Sequence, residues 1–162
     1  MYYDIFKKFD DLLEIEHKEA TALGILGPGE VTLKVFGQGG LMMADLEMNL
    51  IATRDIDAYA EAKHGTLIKL DKFLKKHGLE FDFLSNEVWM PDETIYKSFY
   101  KGSYLAVLRA DVEFIMISKA LKAPAKNKSL LVDYLSSKHV SDNFFKMAEK
   151  YEIDLKEVLH DK

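Results

Sequence analysis

Apolar residues Ile5, Phe6, Phe9, Leu12 and Leu13 recur at helical spacing with charges between them, which predicts an amphipathic helix over Tyr3 to Ala22. The breaker-rich stretch GILGPG (Gly24 to Gly29) ends it. VTLKVF (Val31 to Phe36) is β-branched and aromatic and predicts a strand. Gly37-Gln38-Gly39-Gly40 follows at once. Leu41 to Asn49 then reads as a helix and Leu50 to Tyr59 as a second strand.

Leu67, Leu70, Phe73 and Leu74 place a helix over Thr66 to His77, with Gly78 as its stop. Phe81 to Trp89 has no clear period and reads as a short helix or an irregular segment. Pro91 opens a loop, ETIYKSFYKGSYL interleaves aromatics with lysines and reads either as a half-buried strand edge or as a surface that stacks on bases, Lys101-Gly102 reads as a turn, and Tyr104 to Leu108 as a strand. Asp111 is placed to cap the next helix, which runs through Val112, Ile115, Met116 and Ala120 to Pro124. Ser129 to Ser137, Ser141 to Tyr151 and Asp154 to His160 predict three further helices. The order of elements implies an α+β, α/β-like fold: a small mixed sheet with flanking helices over residues 1–123, and a helical C-terminal extension over residues 124–162 packed on it.

Composition narrows the function classes. At 162 residues and 48% hydrophobic, the chain can bury a core without covalent staples. It has no cysteine, which excludes disulfides and zinc–thiolate sites. MYYDIFKKFDD holds no apolar run of signal-peptide kind and no segment approaches membrane-spanning length, so a cytoplasmic protein with no membrane contact is expected. A net charge of −5 argues against general affinity for nucleic acid, and no DNA partner is expected. Lys119, Lys122, Lys126 and Lys128 form a local basic cluster, read either as a solvated helix end or as a patch. The five histidines show no metal-ligand spacing and are assigned to the surface or helix ends. The methionines, Met42, Met43 and Met48 among them, read as core filling.

One constellation could carry chemistry. A strand runs into Gly39-Gly40 at the mouth of a helix, and a later strand carries Asp55 and Asp57. Side chains alternate along a strand, so both carboxylates share one face, their Cα atoms about 6.6 Å apart, while Ile56 turns inward. Such a pair suits Mg²⁺, which takes one or two carboxylates together with phosphate oxygens and water. Paired glycines let backbone N–H groups approach a phosphate, and a helix N-terminus adds positive charge.

FGQGGLMMADLEMNLIATRDIDAY resembles the signature of the DNA polymerase-β-like nucleotidyltransferase superfamily: apolar strand, glycine pair, helix, then Asp-x-Asp on the next strand. It is similar to small bacterial nucleotidyltransferase families that neighbour the AbiE-type abortive-infection toxins and the minimal nucleotidyltransferases of toxin–antitoxin pairs. The likeness spans roughly residues 31–135, with LEFDFLSNEVW and LAVLRADVEFIMISKALKA as weaker segments, and only residues 36–58 are specific. It implies transfer of NMP from NTP to a protein or RNA acceptor with Mg²⁺ as cofactor. Asp55 and Asp57 would be the metal carboxylates, Gly39 and Gly40 the phosphate-facing glycines, and Lys119 a catalytic, phosphate-binding lysine. A toxin–antitoxin or phage-defence role is implied, with an antitoxin or toxin as partner. Two departures stand out. The strand Leu105 to Arg109 brings no third carboxylate, leaving Asp82 or Glu87 as substitutes from elsewhere, and Gly-Gly in place of Gly-Ser offers no hydroxyl. The alternative is a catalytically degenerate protein of the same fold that binds a nucleotide or a partner, with Phe144, Phe145 and Tyr151 on the partner surface.

Overall fold

The computed structural model describes residues 2–44, 50, 54–82 and 88–160. Helix α1 (Tyr2–Leu23) leads into strand β1 (Val31–Phe36), the short helix α2 (Gly37–Met43) and strand β2 (Asp55–Glu61). Helix α3 (His64–Lys76), strand β3 (Glu80–Asp82) and the β4 (Tyr96–Lys101) and β5 (Leu105–Ala110) hairpin follow. Helices α4 (Val112–Lys122), α5 (Lys128–Leu135), α6 (Asp142–Lys150) and α7 (Leu155–His160) complete an α+β fold.

The sheet is mixed, in the order β3-β2-β1-β5-β4. β1 pairs antiparallel with β2, bringing Phe36 opposite Asp57, and parallel with β5. β2 and β3 run parallel across the α3 crossover. Parallel neighbours need such a crossover, and a helix supplies it. α1 and α3 cover one face, over a core that includes Phe6, Phe9, Leu33, Ile56, Leu70 and Val107. On the other side Phe36, Leu41, Phe114, Ile117, Tyr134 and Phe144 form a second cluster, in which α4 packs against α2, α5 and α6.

A buried carboxylate ties the N-terminal helix to the sheet. Asp10 on α1 is 6% exposed and accepts four hydrogen bonds: Tyr100 Oη at 2.8 Å, and the backbone N–H of Ser103 at 3.1 Å, Tyr104 at 2.9 Å and Leu105 at 2.9 Å. A Cβ at Gly102 would collide with that carboxylate, so the β4–β5 turn requires glycine there. Burial and the Asp10 contact push the Tyr100 phenol well above its ordinary pKa.

Several expectations are displaced. The second helix starts at Gly37 rather than Leu41, and the second strand starts at Asp55 rather than Leu50; residues 45–49 and 51–53 lie outside the described residues. The segment read as helical or irregular from Phe81 begins as strand β3, and residues 83–87 lie outside the described residues. Asp111 occupies the N-cap of α4 but makes no side-chain cap; its carboxylate pairs with Lys97 at 3.2 Å and Arg109 at 3.7 Å. His17 is no surface histidine: its ring stacks on Tyr104 at 3.9 Å and its Nε2 accepts the Gly29 N–H at 3.1 Å. Among the described residues no helix is long and apolar enough to cross a membrane.

Candidate functional site

A cleft of about 710 Å³ opens where β1 ends and β2 begins. Its first wall is acidic. Asp55 and Asp57 alternate around Ile56, which is fully buried, so both carboxylates leave the core on the opposite face. β3 repeats the pattern one strand over, with Phe81 buried between exposed Glu80 and Asp82. The parallel register sets Asp57 beside Asp82 and Asp55 beside Glu80, and the Glu80 N–H donates to the Arg54 carbonyl at 2.6 Å. Neighbouring strands lie about 4.8 Å apart, so four carboxylates share one small patch.

The opposite wall is basic. Lys119 and Lys122 on α4, with Lys126 just after it, line the same cleft together with Asn127. Lys119 Nζ donates to Asn127 Oδ1 at 3.4 Å, and Asn127 Nδ2 donates to the Ala123 carbonyl at 2.9 Å. Lys122 leans 5.6 Å from the centroid of the Trp89 ring. Ser118 donates its hydroxyl to the Trp89 carbonyl and holds that segment to α4.

The charges on the two walls act on each other. Burial, then Asp82 and Asp55, push the Asp57 carboxyl above its ordinary pKa, against the pull of Lys119 and Lys126. Burial and Lys126 lower the Lys119 ammonium, with Asp57 opposing them. The two walls thus carry opposite charge around a half-buried space and act on each other across it.

Gly37 is the glycine that meets the cleft. It sits at φ 64°, and a Cβ there would come 2.8 Å from Asp57 Oδ2. Left-handed backbone and close approach both favour glycine at this position. Gly39 and Gly40, expected to face a phosphate, are instead buried inside α2. A Cβ on Gly40 would reach 2.8 Å from Ile115 Cδ1 and 3.3 Å from the Val35 carbonyl, so this glycine lets α2 lie close against β1 and α4. α2 spans only seven residues and has no side-chain cap, so it offers little of the expected helix-terminal charge.

Asp55, Asp57 and Lys119 therefore line one cleft; Gly39 lies behind it against the β2 backbone, an added Cβ coming 3.8 Å from the Asp55 carbonyl, and neither Gly39 nor Gly40 is among the lining residues. Asp82 joins as the third carboxylate that β5 lacks; Glu87 lies outside the described residues. The signal for Asp82 stands in the sequence: Phe81-Asp82-Phe83 is apolar–Asp–apolar, as is Ile56-Asp57-Ala58. Lys122 and Lys126 belong to the cluster that also read as solvated. Phe144 is fully buried and presents no surface, whereas Phe145 is 47% exposed and Tyr151, partly exposed, packs on Trp89.

Among the described residues no group of three or more His, Cys, Asp or Glu side chains is gathered closely enough to cage a metal by itself. Magnesium is not usually held in an all-protein cage; one or two carboxylates, phosphate oxygens and water suffice. The donor set fits it, being all oxygen, with Asp55 and Asp82 adding negative charge beside Asp57. Comparison with protein-family models, curated proteins and solved structures gives no match to this chain.

Proposed function

We propose that the protein is a Mg²⁺-dependent nucleotidyltransferase that moves NMP from an NTP to a hydroxyl of a protein or RNA acceptor in the cytoplasm. The observation that carries this reading is the divided cleft: Asp55, Asp57 and Asp82 on adjacent parallel strands face Lys119 and Lys126 across one space. Asp55 and Asp57 would hold Mg²⁺, with Asp82 beside Asp57 adding negative charge to the site, and the metal would supply neutralisation of the triphosphate and acidification of the attacking hydroxyl. Lys119 and Lys126 bind the phosphate tail, with Asn127 steadying Lys119. Gly37 leaves room beside Asp57 for the reacting phosphate.

The acceptor oxygen bonds to the α-phosphorus, the bond to the bridging oxygen breaks, and pyrophosphate leaves. Among the described residues lining the cleft, the carboxylates are the groups able to take the acceptor proton, because no histidine is present there. Asp82 supports an active enzyme over a degenerate binding module, since the degenerate reading rested on a missing third carboxylate. A toxin or defence role, with a cognate antitoxin or toxin, is part of the proposal.

The test is transfer of label from each α-labelled NTP with Mg²⁺ to total RNA or protein. Wild type is expected to transfer label. Asp57→Asn is expected to lose on the order of a hundredfold, as removal of a ligand should cost at least as much as removal of an outer-shell partner. Equal transfer by the two proteins would sink the assignment.

A further inference from the structure

Lys119 and Lys126 take the phosphate tail in the proposed reaction, which leaves one cation of the basic wall without a task. Lys122 is exposed, lines the cleft and stands one helical turn beyond Lys119 on α4. Its ammonium lies 5.6 Å from the centroid of the Trp89 ring. A second ring adjoins the first. Tyr151 meets Trp89 edge to face, with centroids 5.2 Å apart and planes at 81°. Both rings pack only in part against the core cluster beneath them, so each keeps some surface in solvent.

Polar bonds hold both rings in place. Ser118, one turn before Lys122 on α4, donates to the Trp89 carbonyl. The Tyr151 hydroxyl donates to Glu93 Oε1 at 2.7 Å. Lys150 Nζ donates to Glu93 Oε2 at 3.0 Å and lies 5.2 Å from the centroid of the Tyr151 ring. Lys150 is thereby spent on Glu93, and that pair adds no net charge beside the rings. The charge on the cleft side of the rings is that of Lys122, with Lys119 and Lys126 beyond it. On a chain of net charge −5, three lysines gathered beside two fixed rings set this stretch of surface apart. Aromatic faces stack on any base, and lysines beside them neutralise phosphates, which together suit a single polynucleotide strand. Rings fixed beforehand lose little order when a strand arrives.

We propose that Trp89, Tyr151 and Lys122 form a track that binds single-stranded RNA and leads its end into the cleft, with bases on the rings and a phosphate on Lys122. This rests on the nucleotidyltransferase reading and selects RNA over protein as its acceptor. Lys122 belongs to both track and cleft, so a strand on the rings enters the site along its basic wall, away from the carboxylates that repel its phosphates.

Fluorescence anisotropy of a labelled single-stranded oligoadenylate RNA, titrated with the protein over a series of salt concentrations, tests this. Wild type is expected to bind. Trp89→Ala is expected to weaken binding about tenfold or more, and Trp89→Phe, which keeps a ring, to retain most of the affinity. Lys122→Gln replaces an exposed side chain and spares the core. It is expected to weaken binding and to make the log–log dependence on salt shallower by about 0.7, the loss of one phosphate contact. Lys101→Gln, an exposed lysine at the end of β4, is expected to bind as wild type does. A wild type that fails to bind, or Trp89→Ala and Lys122→Gln proteins that bind as wild type does with an unchanged salt slope, overturns the proposal. Label transfer separates it from the reading it rests on. Transfer to protein alone, without RNA binding, overturns the track and leaves the nucleotidyltransferase standing. RNA binding weakened in both variants, with no transfer to any acceptor, supports the track and sinks the nucleotidyltransferase.

Discussion

At the scale of single residues, two glycines three positions apart do different work, and substitution separates them. Gly37→Ala forces alanine into left-handed backbone against Asp57 Oδ2. A stability loss of about 1–2 kcal/mol is expected from the backbone alone, together with loss of label transfer. Gly40→Ala presses on Ile115 and the Val35 carbonyl but gains helix propensity. A net stability change within about 1 kcal/mol is expected, with transfer retained. Urea unfolding and the transfer assay distinguish the two. Asp57 adds a dependence on pH. Its carboxyl is raised in the fold, so the native state holds that proton more tightly than the unfolded chain does. Stability then falls as pH rises from the ordinary carboxylate range through the raised value. Asp57→Asn is expected to lose less stability over that rise, measured by urea unfolding in a series of buffers containing chelator. That Asp55 and Asp57 share one face was legible in the sequence because alternation along a strand is a local pattern, whereas Lys119 was singled out through the resemblance of its helix; that the three line one cleft is what the structure adds. Which glycine meets the cleft was not legible, because that depends on where β1 stops and how α2 packs.

At the scale of elements, the site rests on the pairing of β2 with β3. β3 spans three residues and is held from both sides, by the β2 ladder and by α3, whose stop at Gly78 (φ 77°) turns the chain back. The periodicity of α1, α3 and α4 made these helices readable, β1 was readable from its β-branched residues, and β5 from its short apolar run. β3 was not, because three residues carry no period and the pairing that defines it is long-range. The Asp10 strap was hidden for the same reason: its partners lie about ninety positions away. Asp10→Ala leaves three backbone N–H groups and the Tyr100 hydroxyl without their acceptor. A loss of at least about 3 kcal/mol is expected, read as a lower urea midpoint, with the loosening concentrated at α1 and the β4–β5 turn in hydrogen exchange.

At the scale of the whole molecule, charge and apolar surface are sorted to opposite ends of β1. One end holds the split acidic and basic walls, and the other the exposed apolar side chains of Leu23, Ile25 and Leu26. Ligand linkage should register at the first end alone. Mg²⁺ with a non-hydrolysable NTP is expected to raise the thermal midpoint of wild type by several degrees and to leave that of Asp57→Asn unmoved. Leu26→Glu should keep the full ligand-induced shift. The register of β3 carries a last consequence. Side chains on a strand alternate, so a single-residue deletion between Lys76 and Glu80 would bring Phe81 to the cleft and turn Asp82 toward α3. The carboxylate triad is thus written in the chain as a matter of odd and even. Descendants of this sequence would lose the proposed site through one indel in the Gly78 turn while all three carboxylates stay in the chain.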